Sequence, residues 1–379
     1  MAIEDTLRKL VSIDSHFPKE KSIGVFIEKL LKENGFSTER NYVEKDRFNL
    51  LAEKGKSGKS ILFYGHMDTV PMYGRWKGSA FKLRKNGDKL YGLGTFDMKG
   101  GCAAILESTK NVKNKHIKLL FGVDEENISK GAWAVVKTRK RWFKDVGVII
   151  AAEAGVTDKN DGGLGFVTLG RRGRCVITID VEGISSHGAE PNRGLSALDQ
   201  AAKIAINVDK IQMKQHNKLG KESLFVREIK SSSTSLAVPD HASLDLDIHL
   251  VPPDTSSDAK KRVEAYIGNL VRSKVLNSRT MVKVYIKKRE TPYLEPYITD
   301  EKGQYARKIM ALIKKHAGKS VTLSYGMSVA DENVFAHTLH LPTLTIGPKG
   351  GNEHSENEWV SHRSLEQEVA LFKDIIDKV

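Results

Sequence analysis

Cysteine is scarce in this chain. Only Cys102 and Cys175 occur, far apart and in no CxxC arrangement. That excludes a disulfide framework and a zinc site built on thiolates, and it suits a reducing cytoplasm, where the protein is expected. Long apolar runs are lacking too. No stretch approaches the roughly 18 residues needed to cross a bilayer, so no membrane partner is expected. The opening MAIEDTLRKLVSIDSHF is charged throughout and has no apolar h-region, which argues against a secretory signal. No internal repeat or low-complexity tract is visible.

What is present in excess is positive charge. Lysine and arginine number 61 against 47 acidic residues, a net charge of +14, with clusters at KNVKNKHIK (Lys110 to Lys118) and KTRKRWFK (Lys137 to Lys144). Such clusters can mark a nucleic-acid surface. Here the lysines are spread over the whole chain with acidic residues between most of them, and no motif interleaves aromatics with the bases. A basic, solvated surface is expected, not a nucleic-acid interface. At 40% hydrophobic and 28% charged residues, the 379-residue composition is that of a soluble globular protein, long enough for two domains.

The first half alternates in character. KSIGVFIEKLLKENG spaces Ile23, Phe26, Ile27, Leu30 and Leu31 as a helix does and stops at Gly35. Apolar strand-like runs follow at Ile61 to Tyr64, Ile117 to Val123 and Val146 to Ala152, with a helical segment at Met98 to Thr109. Strands apolar throughout, alternating with helices, predict an α/β sheet covered on both faces. After Gly170 to Arg174 the runs CVITIDVEG, Ala242 to Leu250 and Val282 to Lys288 alternate apolar and polar, as strands with one wet face do. Helices are expected at Ser196 to Ile211 and Ser256 to Lys274. The earlier style then returns: a helix around KGQYARKIMALIKKHAG, a buried strand at Pro342 to Gly347 and a last helix from Ser364. The expected architecture is an α/β domain with a mixed sheet covered by helices, residues 1–173 and 289–379, interrupted by an inserted α+β domain, residues 174–288. The insert, about 115 residues, is of a size that folds independently.

Every strand of the first domain ends in residues a buried core would reject. One ends in His66 and Asp68, which alternation puts on the same face; another in Asp124, Glu125 and Glu126; a third in Glu153; a fourth in a glycine-rich loop beginning at Gly347 and carrying Glu353, His354, Glu356 and Glu358. Asp97 precedes a helix inside another glycine-rich loop. Taken singly, each has an ordinary explanation: Asp97 as a helix cap, the paired glutamates as a solvated loop, His354 as an exposed histidine. Their recurrence at four strand ends does not, because the carboxyl ends of strands in open α/β sheets are where ligands bind. Carboxylates gathered there would repel one another, and a pair of divalent cations relieves that best. Histidines among them favour zinc, or cobalt or manganese, over magnesium or calcium. A shared carboxylate would hold two ions about 3.5–4 Å apart, the spacing of two-metal hydrolases.

The segments YGHMDTVP, GLGTFDMKGG, VDEEN, AAEAG and GGNEHSENEWV resemble, in order and spacing, the co-catalytic zinc amidohydrolases and exopeptidases that include acetylornithine deacetylase, succinyl-diaminopimelate desuccinylase, aminoacylase and glutamate carboxypeptidase. The resemblance runs over essentially the full length. It implies His66, Asp97 and Glu153 as ligands of one zinc and Asp97, Glu126 and His354 as ligands of the other, with Asp97 bridging. It also implies Asp68 as the aspartate that orients His66, and Glu125 as the general base. The inserted domain is implied to be a lid and dimerisation surface. There His187, in GISSHGAEPNRGLSAL, would reach a partner subunit's active site and stabilise the oxyanion. The implied substrate is an N-acyl amino acid or a short peptide, and deacylase, carboxypeptidase and dipeptidase activities all remain open. Departures fall on substrate contacts: DIH (Asp247 to His249) stands where the family usually has Asp-x-Arg, and SSSTSLAVP (Ser231 to Pro239) where asparagines often precede the lid's VP. Arg289, in RETP, and backbone donors of the loop from Gly347 are the remaining candidates for a substrate carboxylate. A non-catalytic protein keeping this fold would have lost Glu125 or a ligand, and neither is lost.

Overall fold

The computed structural model describes residues 2–153, 163–233, 236–318 and 320–379. They form two compact units, one of Met1–Gly170, Ile298–Gly326 and Ala330–Val379, the other of Arg171–Tyr297 with Met327–Val329.

The first unit is built on a mixed sheet. Its neighbours run in the order Ser37–Glu44, Arg47–Lys54, Ile117–Gly122, Ser60–His66, Val146–Ala151, Thr343–Thr345 and Phe166–Arg171. Strand 60–66 pairs in parallel with 117–122 and with 146–151, and 146–151 pairs in parallel with 343–345. These parallel strands are buried at every position because helices cover both faces, which explains why they read as unbroken apolar runs. Parallel strands also deliver their carboxyl ends to one edge of the sheet, so whatever follows His66, Gly122, Ala151 and Thr345 is gathered there.

Two glycines set how closely the covering helix Lys99–Ser108 approaches. A Cβ at Gly101 would lie 1.7 Å from the carbonyl oxygen of Ala152, and one at Gly65 would lie 2.8 Å from the sulfur of Cys102. Only hydrogen at these positions lets the helix press on the strand ends, and the helix is accordingly buried along its whole length. The antiparallel hairpin Ser37–Lys54 has no clear mark in the sequence pattern. Its outer strand is a mostly exposed edge of polar residues, without the apolar alternation that signals a strand.

The second unit is a four-stranded antiparallel sheet, in the order Ser223–Ser231, His241–Leu250, Gly173–Glu182 and Met281–Ile286. Helices Ala197–Ala205 and Ser256–Arg272 lie on one face, their Ala201, Ile204, Val263 and Ile267 packed with Ile177, Ile179, Leu244 and Leu246. Thr255 and Asp258 form a capping box at the second helix's start. The sequence alternation predicts a wet opposite face, and there Glu182 and His241 are exposed and Arg174, Asp180, Ser243 and His249 half-buried, while Thr178, Asp245 and Asp247 are buried. The reason is electrostatic. Arg174 forks onto Asp247 at 2.9 and 2.6 Å, while Asp245 accepts the Thr178 hydroxyl at 2.7 Å and the Lys287 ammonium, so polar residues satisfy one another beneath their own aliphatic stems. Among the described residues, no helix is long and apolar enough to cross a membrane.

Candidate metal centre

His66 is the last residue of its strand and is fully buried. Its Nδ1 lies 3.0 Å from the main-chain oxygen of Asp68, which makes it the donor and leaves Nε2 with a lone pair. The Asp68 carboxylate stands further off, Oδ1 at 3.7 Å, and its Oδ2 accepts the backbone N–H of Glu126 at 3.0 Å. Asp68 thus ties the end of one strand to the loop after another.

Asp97 sits between two imidazoles. Its Oδ1 is 3.0 Å from Nε2 of His66 and its Oδ2 is 3.3 Å from Nε2 of His354. Nε2 of His354 is in turn 2.9 Å from Oε2 of Glu126. One donor atom from each of Asp97, Glu126 and His354 lies within 4.8 Å of the others. Asp97 is held by its own loop: the buried Glu358 carboxylate accepts the N–H groups of Gly94, Phe96 and Asp97 at 2.6, 2.7 and 2.9 Å. The His354 loop comes close because Gly350 rests on Phe96, where a Cβ would be 2.2 Å from the ring.

Charge in this pocket is unbalanced. Burial pushes Asp68 up to about 7 despite His66 nearby. The Glu125 carboxyl is raised well above the ordinary range, by burial first and then by Glu153, Asp331 and Glu126, with His66 opposing. His354 is raised to about 11 by its bonds to Asp97 and Glu126. His66 is raised as well, the carboxylates around it outweighing its burial. Among the described residues, Oε1 of Glu126 is buried with no hydrogen-bond partner. Imidazole nitrogens, a carboxylate facing both, and a buried unused carboxylate oxygen make a donor set suited to divalent cations. Cys102 takes no part, since its thiol donates to the His66 carbonyl at 3.3 Å.

The remaining candidates fall as follows. Glu153 follows strand 146–151 at the same sheet edge, where its charge acts on Glu125. Gly347 is buried just past strand 343–345. His187 and Arg289 belong to the second unit. The exposed His187 ring accepts the Ala189 N–H at Nδ1, 3.0 Å, so its neutral form carries the proton on Nε2. Arg289 donates to the carbonyls of Thr291 and Pro292, both at 2.7 Å, and lies over the Tyr293 ring. A second group, Glu53, His116 and Asp145, has ligand-like spacing at the opposite end of the sheet, but the Lys118 ammonium, 2.5 Å from Asp145, already serves it as a cation. Sequence reasoning missed Tyr64 and Asp331, buried hydrogen-bonded partners beside Glu125. Asp331 opens a helix and reads as an ordinary exposed cap.

Residues 62–378 match Peptidase family M20/M25/M40. The chain belongs to this family. It is a hydrolase of the family's metallopeptidase and amidohydrolase class. Succinyl-diaminopimelate desuccinylase of a Nitratiruptor species is 23% identical over 381 residues, 99% of either chain. In fold the protein is similar to the aminopeptidase PepT of Bacillus cereus ATCC 10987, with TM-score 0.76, 18% identity and 99% and 97% of the two chains covered. It is also similar to the Bacillus subtilis YXEP protein, a dinuclear metal binding peptidase of the M20 family, with TM-score 0.71, 14% identity and 100% and 98% covered. The family match and these likenesses agree with the α/β fold expected from the alternation of strands and helices.

Proposed function

We propose that the protein hydrolyses the amide bond of an N-acyl amino acid or short peptide, with two divalent ions, zinc by preference, held by His66, Asp97, Glu126, Glu153 and His354. The observation that carries this reading is Asp97, whose two oxygens face two different imidazoles as a bridging ligand would. Bound ions would supply Lewis acidity to the substrate carbonyl and make an attacking water acidic enough to ionise near neutral pH. Glu125 is the general base. It adjoins a ligand, and a carboxyl raised by burial and by its acidic neighbours can both take a proton from water and return it to the leaving nitrogen. Asp68 holds the Glu126 backbone and, through its carbonyl, the His66 tautomer. His187, with its donor on Nε2, is assigned to the oxyanion, presented by the lid of a second copy of the chain. Arg289 and the backbone at Gly347 are assigned to the substrate's carboxylate.

Succinyl-diaminopimelate desuccinylase, similar over the whole length, supports a deacylase; the fold likeness to an aminopeptidase keeps peptides within the proposed range. A homodimer through the second unit is supported by Phe225 and Ile229, exposed on the edge strand Ser223–Ser231. Two buried, free cysteines support a cytoplasmic location.

Metal analysis of the purified protein should return two ions per chain, and a panel of acetyl, succinyl and aminoacyl substrates should identify the one turned over. In Glu125→Ala, turnover should fall about 10²–10⁴-fold while metal content stays near that of the parent. Survival of activity in that variant would remove Glu125 from its role.

A further inference from the structure

The loop bearing Glu125 and Glu126 is gripped from behind by a buried ion triad outside the ligand cluster. Arg47 begins the strand Arg47–Lys54 and is 5% exposed. Its Nε and Nη2 donate to the two oxygens of Glu20 at 2.9 and 2.5 Å, and Nη2 also donates to Oδ1 of Asp124 at 2.9 Å. Glu20 and Asp124 are as deeply buried, and the Phe17 ring lies 4.5 Å from the guanidinium.

Asp124 is where this grip is passed on. Its backbone is left-handed, φ +72°, an uncommon conformation for a residue with a side chain. Its Oδ2 accepts the N–H groups of Ile128 and Lys130 at 3.3 and 3.0 Å, and its carbonyl accepts that of Ser129 at 2.8 Å. These bonds close the turn 124–130, and the first residues it carries after Asp124 are Glu125 and Glu126. An arginine salt-bridged only for stability could be replaced by apolar groups of similar volume with little loss. Apolar groups could not aim the Asp124 carboxylate at the turn's N–H groups. A guanidinium whose fork is fixed on Glu20 can, because its Nη2 holds Oδ1 of Asp124, with the Asn127 amide at 3.4 Å, and leaves Oδ2 to the turn.

We propose that Arg47, braced by Glu20 and acting through Asp124, is a positioning residue of the hydrolytic centre: it fixes the turn that directs Glu125 and Glu126 into the site. This rests on the roles given above to those two glutamates.

The test uses the full-length chain in two variants, Arg47→Lys, which keeps the charge but loses the fork, and Arg47→Met combined with Glu20→Gln, which removes both charges. Amide hydrogen exchange is read first, on metal-free protein, so this arm does not depend on the enzyme's substrate. Exchange at Ile128 and Lys130 should accelerate about tenfold or more, while Leu119 to Phe121 in the neighbouring strand stay protected. In metal-loaded protein, kcat on whichever panel substrate the parent hydrolyses should fall about 10–100-fold, with KM within about twofold and Arg47→Lys the less affected variant. The cobalt(II) visible spectrum should change at unchanged stoichiometry. Unchanged exchange and kcat in either folded variant would overturn the proposal. So would acceleration spread evenly over residues 117–130, which would mark Arg47 as support for the whole sheet edge. A parent that hydrolyses no panel substrate would count against the proposed function, and the exchange result would still decide whether Arg47 holds the turn.

Discussion

Glu368 is the residue with the least local reason to be where it is. It lies in the C-terminal helix His362–Lys378, fully buried on the face that carries Leu365, Leu371, Phe372 and Ile375. Among the described residues neither of its carboxyl oxygens has a hydrogen-bond partner, and burial raises its pKa well above 4.5. The folded protein keeps this proton while the unfolded chain releases it, so stability is lost as pH climbs from about 4.5 toward the folded value, at up to about 1.4 kcal/mol per pH unit. Glu368→Leu should therefore stabilise the protein by about 1–3 kcal/mol at pH 8 and by clearly less at pH 5. Thermal unfolding at the two pH values checks this, and an equal gain at both would refute the buried-acid account. The position was legible in part: helical spacing puts Glu368 on the apolar stripe. The pattern does not reveal that nothing answers its carboxyl, because partners come from other helices. Arg47, Glu20 and Asp124 pose the same difficulty, being contributed by a strand start, a helix cap and a strand end.

Among elements, the helix Lys99–Ser108 couples fold and site most directly. Its start follows Asp97, its Gly101 presses on the end of strand 146–151, and Ala152 beneath Gly101 is bonded to its chain neighbour Glu153. Gly→Ala inside a helix ordinarily stabilises by roughly 0.5–1 kcal/mol. Here the new methyl would meet the Ala152 carbonyl, and neither backbone can yield without moving Asp97 or Glu153. Gly101→Ala should instead destabilise by about 1–3 kcal/mol and weaken metal binding. Denaturant midpoints and metal titration would show it, and a stabilised Gly101→Ala protein with parental affinity would contradict the packing described. The sequence marks the helix and the glycines after Asp97. It does not mark what the glycines face, since Ala152 is fifty-one residues downstream of Gly101.

For the whole molecule, the gathered carboxylates make metal and stability one question. Removing the ions should lower the thermal midpoint and abolish hydrolysis, and zinc, cobalt or manganese should restore both. At a free metal concentration about 100 times its dissociation constant the gain is about 2.7 kcal/mol per site. A midpoint indifferent to chelator and to added metal would break the link between cluster and cation. Local patterning was enough to set the class of fold, the parallel strands of the first unit and the segments bearing metal-type side chains, because periodicity and the residues that end strands are properties of short stretches. The rest needed the folded chain: that Asp97 offers one oxygen to each of two histidines, that Glu358 holds the Asp97 loop and Arg47 the Asp124 carboxylate, and that Arg174 pairs with Asp247 across the second unit's sheet. Each of these depends on groups distant in the chain meeting at hydrogen-bond range, and spacing along a sequence carries no information about that.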